Sequence, residues 1–97
     1  MKLVVKIGGA ALDDASVVQP FARVVVDLAH GGHRVLVVHG GGSALSAVLR
    51  EMGRETRFVD GLRVTDTATR DIAVMVLAGA VNKRLVAALG TAGAPAL

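Results

Sequence analysis

Residues 34–42 read RVLVVHGGG, a valine-rich run that passes directly into a histidine and three glycines. A short apolar run bounded by glycine is typical of a buried strand, so we predict a strand over residues 34–38. The chain opens in the same way, because residues 2–9 read KLVVKIGG and predict a first strand over residues 2–7. Helical patterning separates the two runs, which indicates an α/β fold with parallel strands.

Two helices complete this strand-helix-strand-helix pattern. Pro20 suits a first helical position, so the first helix is expected over residues 20–30. Its end is set by the pair Gly31-Gly32, which tolerates a left-handed backbone. The second helix is expected to begin at Ser43 and to end at Gly53, with one apolar face.

The last part of the chain predicts a hairpin and a third helix. The dipeptide Asp60-Gly61 favours a tight turn, so residues 57–64 are expected to form a small β-hairpin. A third helix, capped by Thr65, is expected over residues 65–89. Its stretch over residues 72–81 is apolar all round, and a small domain has difficulty covering such a helix. A partner surface is therefore expected on this helix.

Composition limits the class of protein. A chain of 97 residues with 53% hydrophobic content forms at most one domain, here residues 1–97. The absence of cysteine excludes disulfides and thiolate metal sites and fits the cytoplasm, which is the expected location. The longest apolar run is shorter than a membrane span, so no membrane partner is expected. The net charge of +3 is spread along the chain with only two aromatics, so no nucleic-acid partner is expected.

Two glycine clusters follow the two predicted strands, and parallel strands would bring both to the ligand-binding edge of the sheet. Glycine allows backbone N–H groups to approach an anion, and a following helix adds its positive end. Taken singly, each cluster is more often a simple chain turn. Lys6, near the end of the first strand, either meets an anion such as phosphate or extends to solvent.

Other known motifs are missing. The chain has neither a P-loop nor a dinucleotide-binding glycine fingerprint, and the segment after His39 lacks the last glycine of a hydrolase nucleophile elbow. The three histidines have no metal-ligand spacing, so no protein-built metal site is expected. Arg63 follows the hairpin turn and could bind a carboxylate through two parallel N–H donors, a bidentate contact, although a solvated arginine is the more common case.

Four segments, taken in order, closely resemble the amino-terminal half of acetylglutamate kinases: KIGG at residues 6–9, HGGG at 39–42, GLRVT at 61–65 and NK at 82–83. The resemblance covers essentially the whole chain, and the GLRVT segment points beyond the broad amino-acid-kinase family. It implies the three-layer αβα amino-acid-kinase fold with a mainly parallel sheet, of which residues 1–97 are the N-terminal, acetylglutamate-binding part.

The resemblance also implies residue roles. Lys6 would be catalytic and, with Gly8 and Gly9, would contact the phosphate of ATP. Gly41 and Gly42 would bind N-acetyl-L-glutamate, and Arg63 would hold a carboxylate of that substrate. Mg²⁺ would arrive bound to ATP, with no protein ligand to the metal in this chain. The family forms homodimers through the helix corresponding to residues 65–89, which agrees with the apolar stretch noted above.

The implied reaction is ATP-dependent phosphorylation of the side-chain carboxylate of N-acetyl-L-glutamate, giving an acyl phosphate on the route to arginine. Members of the family continue well past Leu97, so this chain is expected to be inactive alone. Nothing before Met1 resembles the extra helix of arginine-inhibited relatives, so no arginine feedback is expected by that route. Two alternatives remain open: a kinase acting on aminoadipate or a carrier-linked amino acid, and a non-catalytic dimerisation module.

Overall fold

The computed structural model describes all residues from Met1 to Leu97. In chain order the elements are β1 Lys2–Ile7, α1 Gly9–Leu12, α2 Ala15–His30, β2 Arg34–His39, α3 Gly42–Glu51, β3 Phe58–Val59, β4 Leu62–Arg63, α4 Thr67–Val74, a π-helical segment Met75–Val81, and α5 Asn82–Ala92. The last three elements form one continuous helix, Thr67–Ala92, here called the long helix.

The two valine-rich runs form the predicted parallel pair. Strands β1 and β2 are hydrogen-bonded in register from Lys2 against Arg34 to Ile7 against His39. Because the register is even, both strands end at the same level, and the glycine clusters leave from one edge of the sheet. The predicted hairpin is also present, with β3 and β4 antiparallel around Asp60 and Gly61, both of which have positive φ.

The start of α2 differs from the prediction. The helix begins at Ala15, not near Pro20, because Asp14 provides a cap further upstream: its Oδ1 accepts from the Ser16 backbone N–H at 2.9 Å and from Ser16 Oγ at 2.6 Å. Pro20 therefore lies inside the helix, where it removes one backbone hydrogen bond. The expected glycine stop is confirmed, with Gly32 in a left-handed conformation (φ +94°).

The long helix is capped by Asp66, so the prediction of Thr65 as its cap was wrong. Asp66 Oδ1 accepts from the backbone N–H of Thr69 at 2.7 Å. Thr65 instead donates its hydroxyl to the Arg63 carbonyl at 3.2 Å. The helix continues to Ala92, beyond the expected residue 89, and its π-helical segment was not predicted.

Two hydrophobic clusters hold these elements together. The first joins one sheet face to α2 and α5, and the second joins α3 to α4 and the π segment. The buried members of the first are Ile7, Ala22, Val25, Val26, Leu85 and Leu89, and those of the second are Leu45, Leu49, Ile72, Val76 and Val81. The long helix contributes buried residues to both clusters, and Leu12 of α1 also packs against both, so these two elements connect them.

The opposite face of the sheet is exposed. Val4 and Leu36 on that face retain 72% and 62% of their accessible surface. The prediction of buried strands is therefore wrong for this face, because residues 1–97 supply helices on only one face of the sheet. The long helix has 26 residues and contains an 18-residue window with a mean hydropathy of 1.7, so by length and composition alone it could cross a membrane. Only 28% of that window is buried within this chain, where its buried side chains contribute to both clusters.

We predict that the Asp66 cap makes the stability of the chain depend on pH in the acidic range. The Thr69 backbone N–H, donated to the carboxylate, holds the pKa of Asp66 below its ordinary value of 3.8, and Arg54 acts in the same direction. The cap therefore contributes fully above pH 3.8, and its contribution is lost as the pH falls through the lower, folded-state pKa. Asp66→Ala should lower the melting temperature at neutral pH, and the deficit should shrink on acidification.

Thermal melts followed by circular dichroism, from neutral pH to below pH 3.8, measure the melting temperatures. The matched control is Asp27→Ala, which removes an exposed carboxylate of α2 that has no side-chain hydrogen bond and should change the melting temperature little. A deficit of equal size at neutral and acidic pH for Asp66→Ala would contradict the carboxylate cap.

Candidate functional site

The two glycine clusters form turns that touch each other at the end of the sheet. A Cβ added at Gly9 would lie 2.6 Å from the backbone nitrogen of Gly41, and one added at Gly40 would lie 3.0 Å from the backbone nitrogen of Gly9. No side chain fits at either position without moving backbone. The expectation that both clusters meet at one edge is therefore confirmed, and glycine is required there by a contact between two turns.

The turn after β2 is also packed from behind by the π segment. Gly41 is buried and has a φ of +153°, which L-residues with side chains rarely adopt. A Cβ on Gly41 would lie 2.6 Å from Leu77 Cδ2 and 3.1 Å from Val81 Cγ2. Sequence reasoning missed this contact because a π segment has no side-chain pattern that separates it from an apolar α-helix.

The start of α3 supplies unpaired backbone donors beside these turns. No side chain caps this ten-residue helix, and its first backbone hydrogen bond back to the turn runs from Leu45 N–H to the Gly41 carbonyl at 3.0 Å. The N–H groups of Gly42, Ser43 and Ala44 consequently have no acceptor within the helix. Together with the positive end of the helix dipole, they form a position suited to an anion.

Arg63 lies next to this helix end and is held there by several contacts. Its Nη2 donates to the Gly42 carbonyl at 3.1 Å and to Ser46 Oγ at 2.9 Å, and its guanidinium carbon lies 4.8 Å from the centre of the Phe58 ring. Its Nη1 is buried without a hydrogen-bond partner. This is not a solvated arginine: a fixed guanidinium with free donors beside a helix N-terminus favours a carboxylate ligand.

Lys6 is placed differently from Arg63. It is exposed, makes no hydrogen bond or ion pair, and by strand alternation points to the face of the sheet opposite Ile7. Gly8, also proposed for phosphate contact, has an extended backbone and open space around it. The structure thus groups Arg63, Gly41 and Gly42 by direct contacts or adjacency, while the phosphate-contacting roles of Lys6, Gly8 and Gly9 stay predictions.

Two further polar links at the turns were not found by sequence reasoning. Ser43 Oγ donates to Asp13 Oδ2 at 2.6 Å, which ties the end of α1 to the start of α3. His39 Nδ1 lies 2.8 Å from the Gly40 carbonyl, and His39 Nε2 lies 3.2 Å from Asn82 Nδ2. The second link joins residues 43 positions apart, which no local pattern indicates.

The largest cavity, about 460 Å³, lies between β2, α2, α5 and residues 94–97, and neither the glycine turns nor Arg63 line it. Its lining is mostly apolar, with His39 and Asn82 at one end. The convergent polar groups are at the glycine turns, and we take those turns as the candidate site.

Comparisons with known proteins agree on one family. A model described as the amino acid kinase family matches residues 1–97. An acetylglutamate kinase of Koribacter versatilis is 58% identical over 97 residues, which is all of this chain and 37% of that protein. The acetylglutamate kinase of Synechocystis is 48% identical over 95 residues, or 98% of this chain and 32% of that protein.

Solved structures share the fold. A protein of Streptococcus mutans superimposes with a TM-score of 0.85 at 30% identity, covering 95% of this chain and 37% of that one. An N-acetylglutamate synthase of Neisseria gonorrhoeae, complexed with coenzyme A and N-acetyl-glutamate, superimposes with a TM-score of 0.77 at 30% identity, covering 99% of this chain and 22% of that one. The chain spans about a third of the length of the curated relatives it matches.

We predict that the contact between the turns makes Gly9 far less tolerant of a side chain than Gly8. Gly9→Ala would drive a methyl group into the Gly41 backbone and should lower the free energy of unfolding by about 1–3 kcal/mol. Gly8→Ala, with nothing within 4 Å of its added Cβ, is the matched control and should change stability little. Urea denaturation measures both, and equal effects would disprove the contact.

Proposed function

The chain belongs to the amino acid kinase family, and we propose that it forms the substrate-binding part of an acetylglutamate kinase. The reaction would be ATP-dependent phosphorylation of the side-chain carboxylate of N-acetyl-L-glutamate, in the cytoplasm, on the route to arginine. Identity of 58% to a relative of that name supports the substrate. The single observation that carries the proposal is the fixed guanidinium of Arg63 beside the uncapped start of α3.

The substrate offers what this position lacks. One carboxylate of N-acetyl-L-glutamate would accept from the Arg63 guanidinium and from the first N–H groups of α3, which lie beside it. Gly41 and Gly42 leave the backbone bare, so the ligand can approach the turn closely. Arg63 is already fixed by Gly42, Ser46 and Phe58, so little side-chain entropy is lost on binding.

The chemistry needs positioning more than proton transfer. The acceptor carboxylate is ionised at neutral pH, so no general base is required. One carboxylate oxygen forms a bond to the γ-phosphorus of ATP while the bond from that phosphorus to the bridging oxygen breaks, and ADP leaves. Lys6 and the N–H groups of the Gly8-Gly9 turn would offset the negative charge that develops between the two reactants.

ATP as phosphoryl donor follows from the kinase family, whereas Mg²⁺ belongs to the proposal. No group of three or more histidine, aspartate or glutamate side chains in this chain is arranged to hold a metal ion. We propose that Mg²⁺ arrives bound to the phosphates of ATP, a mode of binding that needs few protein ligands, and no step of the proposal passes through it. We propose that activity requires sequence corresponding to the rest of the relatives, of which this chain covers about a third.

The test is a chimera in which residues 1–97 replace the matching segment of the Koribacter versatilis enzyme. Trapping of the acyl phosphate with hydroxylamine should give signal with ATP and N-acetyl-L-glutamate, and Lys6→Ala should abolish it. The isolated chain should be silent. Signal from the isolated chain would contradict the requirement for further sequence, and a silent but folded chimera would contradict the kinase proposal.

We predict that Arg63→Lys in the chimera raises the KM for N-acetyl-L-glutamate roughly 10-fold or more, because a lysine cannot reproduce the two-pronged fork. The matched control is Arg57→Lys, an exposed arginine at the start of the same hairpin region whose side chain makes no hydrogen bond. Steady-state kinetics with varied substrate measure both, and equal KM values for the two variants would remove Arg63 from the site.

A second candidate is a non-catalytic module of the same fold. The superposition on an N-acetylglutamate synthase keeps it open, because this fold also occurs in a protein of another name and the fold alone does not establish phosphoryl transfer. The chimera separates the two, since a module without catalytic competence gives no acyl phosphate. Competition by aminoadipate or a carrier-linked amino acid in the same assay tests the remaining kinase alternative.

We also propose a homodimer through the long helix. Val74 and Met75 lie on its outer face and retain 60% and 64% of their accessible surface, although the neighbouring Ile72 and Val76 are buried. An apolar strip of this kind on the middle of a helix is typical of an isologous interface, where the same strip from a second copy covers it.

The double variant Val74→Glu with Met75→Glu should weaken self-association by roughly two orders of magnitude, because burying unpaired carboxylates costs several kcal/mol. The control is Thr67→Glu with Ala68→Glu, which adds the same charge at two exposed positions in the first turn of the same helix and should leave association intact. Sedimentation velocity at several concentrations measures the change. Unaltered association of the Val74 and Met75 double variant would place the interface elsewhere.

A further inference from the structure

A chain of hydrogen bonds connects the long helix to the glycine turn that follows β2. Lys83 Nζ donates to Asn82 Oδ1 at 2.9 Å, Asn82 Nδ2 lies 3.2 Å from His39 Nε2, and His39 Nδ1 lies 2.8 Å from the Gly40 carbonyl oxygen. The two links made by His39 are partly buried, and hydrogen bonds in such surroundings are stronger than at the surface. None of these three side chains has a role in the proposed phosphoryl transfer.

This chain of hydrogen bonds, from Lys83 through Asn82 and His39 to Gly40, is here called the relay. Its two ends determine which atom donates in each link. A lysine ammonium only donates, so the oxygen of the Asn82 amide must face Lys83 and its NH₂ group must face His39. A backbone carbonyl only accepts, so the proton of His39 must be on Nδ1. In that neutral tautomer Nε2 is an acceptor, which matches the NH₂ group of Asn82. One arrangement of protons satisfies every link.

The relay ends on a peptide group that has unusual freedom. The bond between Gly40 and Gly41 joins two glycines, and Gly41 has the φ of +153° noted above. Because the peptide unit is planar, fixing the Gly40 carbonyl also fixes the direction of the Gly41 N–H. That nitrogen is the atom closest to a Cβ added at Gly9, so it lies at the contact between the turns.

The same helix holds the turn sterically. Leu77 and Val81 of the π segment pack on Gly41, and Asn82 is the first residue after this segment. A π segment widens the helix and rotates the residues after it relative to an α-helical register. The seven π-helical residues thus place two apolar contacts and one amide against the same turn.

We propose that Asn82 is a positioning residue that sets the Gly40–Gly42 turn through His39, with Lys83 orienting its amide. The effect on catalysis rests on the proposed function, since it concerns the binding of the acyl amino acid to Gly41 and Gly42. A turn free to rotate loses donors from the substrate in the ground state and the transition state alike. The expected signature is a raised KM with a smaller change in kcat.

The first arm of the test is independent of activity and uses the chain labelled with ¹⁵N-histidine. The imidazole spectrum of His39 should show a proton on Nδ1 and a bare Nε2, with the other histidines assigned through His30→Gln and His33→Gln. Asn82→Asp places carboxylate oxygens, which only accept, opposite Nε2 of His39. That nitrogen should then carry a proton, taken up from solvent, and donate it to the carboxylate. In Asn82→Ala the amide signals of Gly41 and Gly42 should shift, whereas His30→Gln should leave them unchanged. A proton on Nε2 of His39 in the parent chain would overturn the relay.

The second arm measures kinetics in the chimera of the preceding subsection. Asn82→Ala and His39→Gln should each raise the KM for N-acetyl-L-glutamate about 10-fold, with kcat changed less, while His30→Gln behaves as the parent. Lys83→Met, at an exposed position, should raise the same KM by a smaller factor. Because this substitution is exposed, it also controls for misfolding of Asn82→Ala and His39→Gln. Unchanged KM values with only a lowered melting temperature would reduce Asn82 to a structural role. If the parent chimera is inactive, the proposed function fails, and the ¹⁵N arm alone decides the relay.

Discussion

The arrangement depends on the contact between two backbone turns that have no side chains between them. Gly9 and the Gly40-Gly41 peptide lie so close that a single methyl group would displace backbone atoms. This approach requires the even register of β1 and β2, because a shift of one residue would raise one turn above the other by about 3.3 Å. It also requires helices on the sheet face of Ile7 that hold the register through side-chain packing.

Local patterns were sufficient for the strands, the hairpin and the meeting of the glycine turns. An apolar run that ends in glycine predicted the position of both strands, although only one face of each strand is covered in this chain, and the carboxyl ends of parallel strands meet at a shared edge. The helix starts were predicted less well. Pro20 and Thr65 are residue types that are common at helix N-termini. Asp14 and Asp66, however, each accept a hydrogen bond from a backbone N–H of the first turn, and these caps determine where the helices begin. Residue preference is weaker than an actual hydrogen bond.

The parts of the site that sequence did not predict are relations between distant segments. The fixation of Arg63 depends on Gly42 and Ser46 from another helix, and the link from Asn82 to His39 spans 43 positions. The π segment escapes prediction for a different reason, since it changes only which face each apolar residue presents. The resemblance to acetylglutamate kinases did include Asn82 and Lys83, but it gave them no role.

The proposed kinase reaction needs no general base, so its rate would depend on geometry, and that geometry depends on the elements that hold the glycine turns. Glycine turns give close approach to ligands but lose the restraint that side chains provide, so the restraint must come from neighbouring elements. In this chain the long helix supplies it with Leu77 and Val81 on Gly41 and with the polar relay on Gly40. The outer face of the same helix carries exposed Val74 and Met75. A second copy covering that face would therefore stiffen the element on which the turn relies, and self-association and substrate binding would be coupled through one helix.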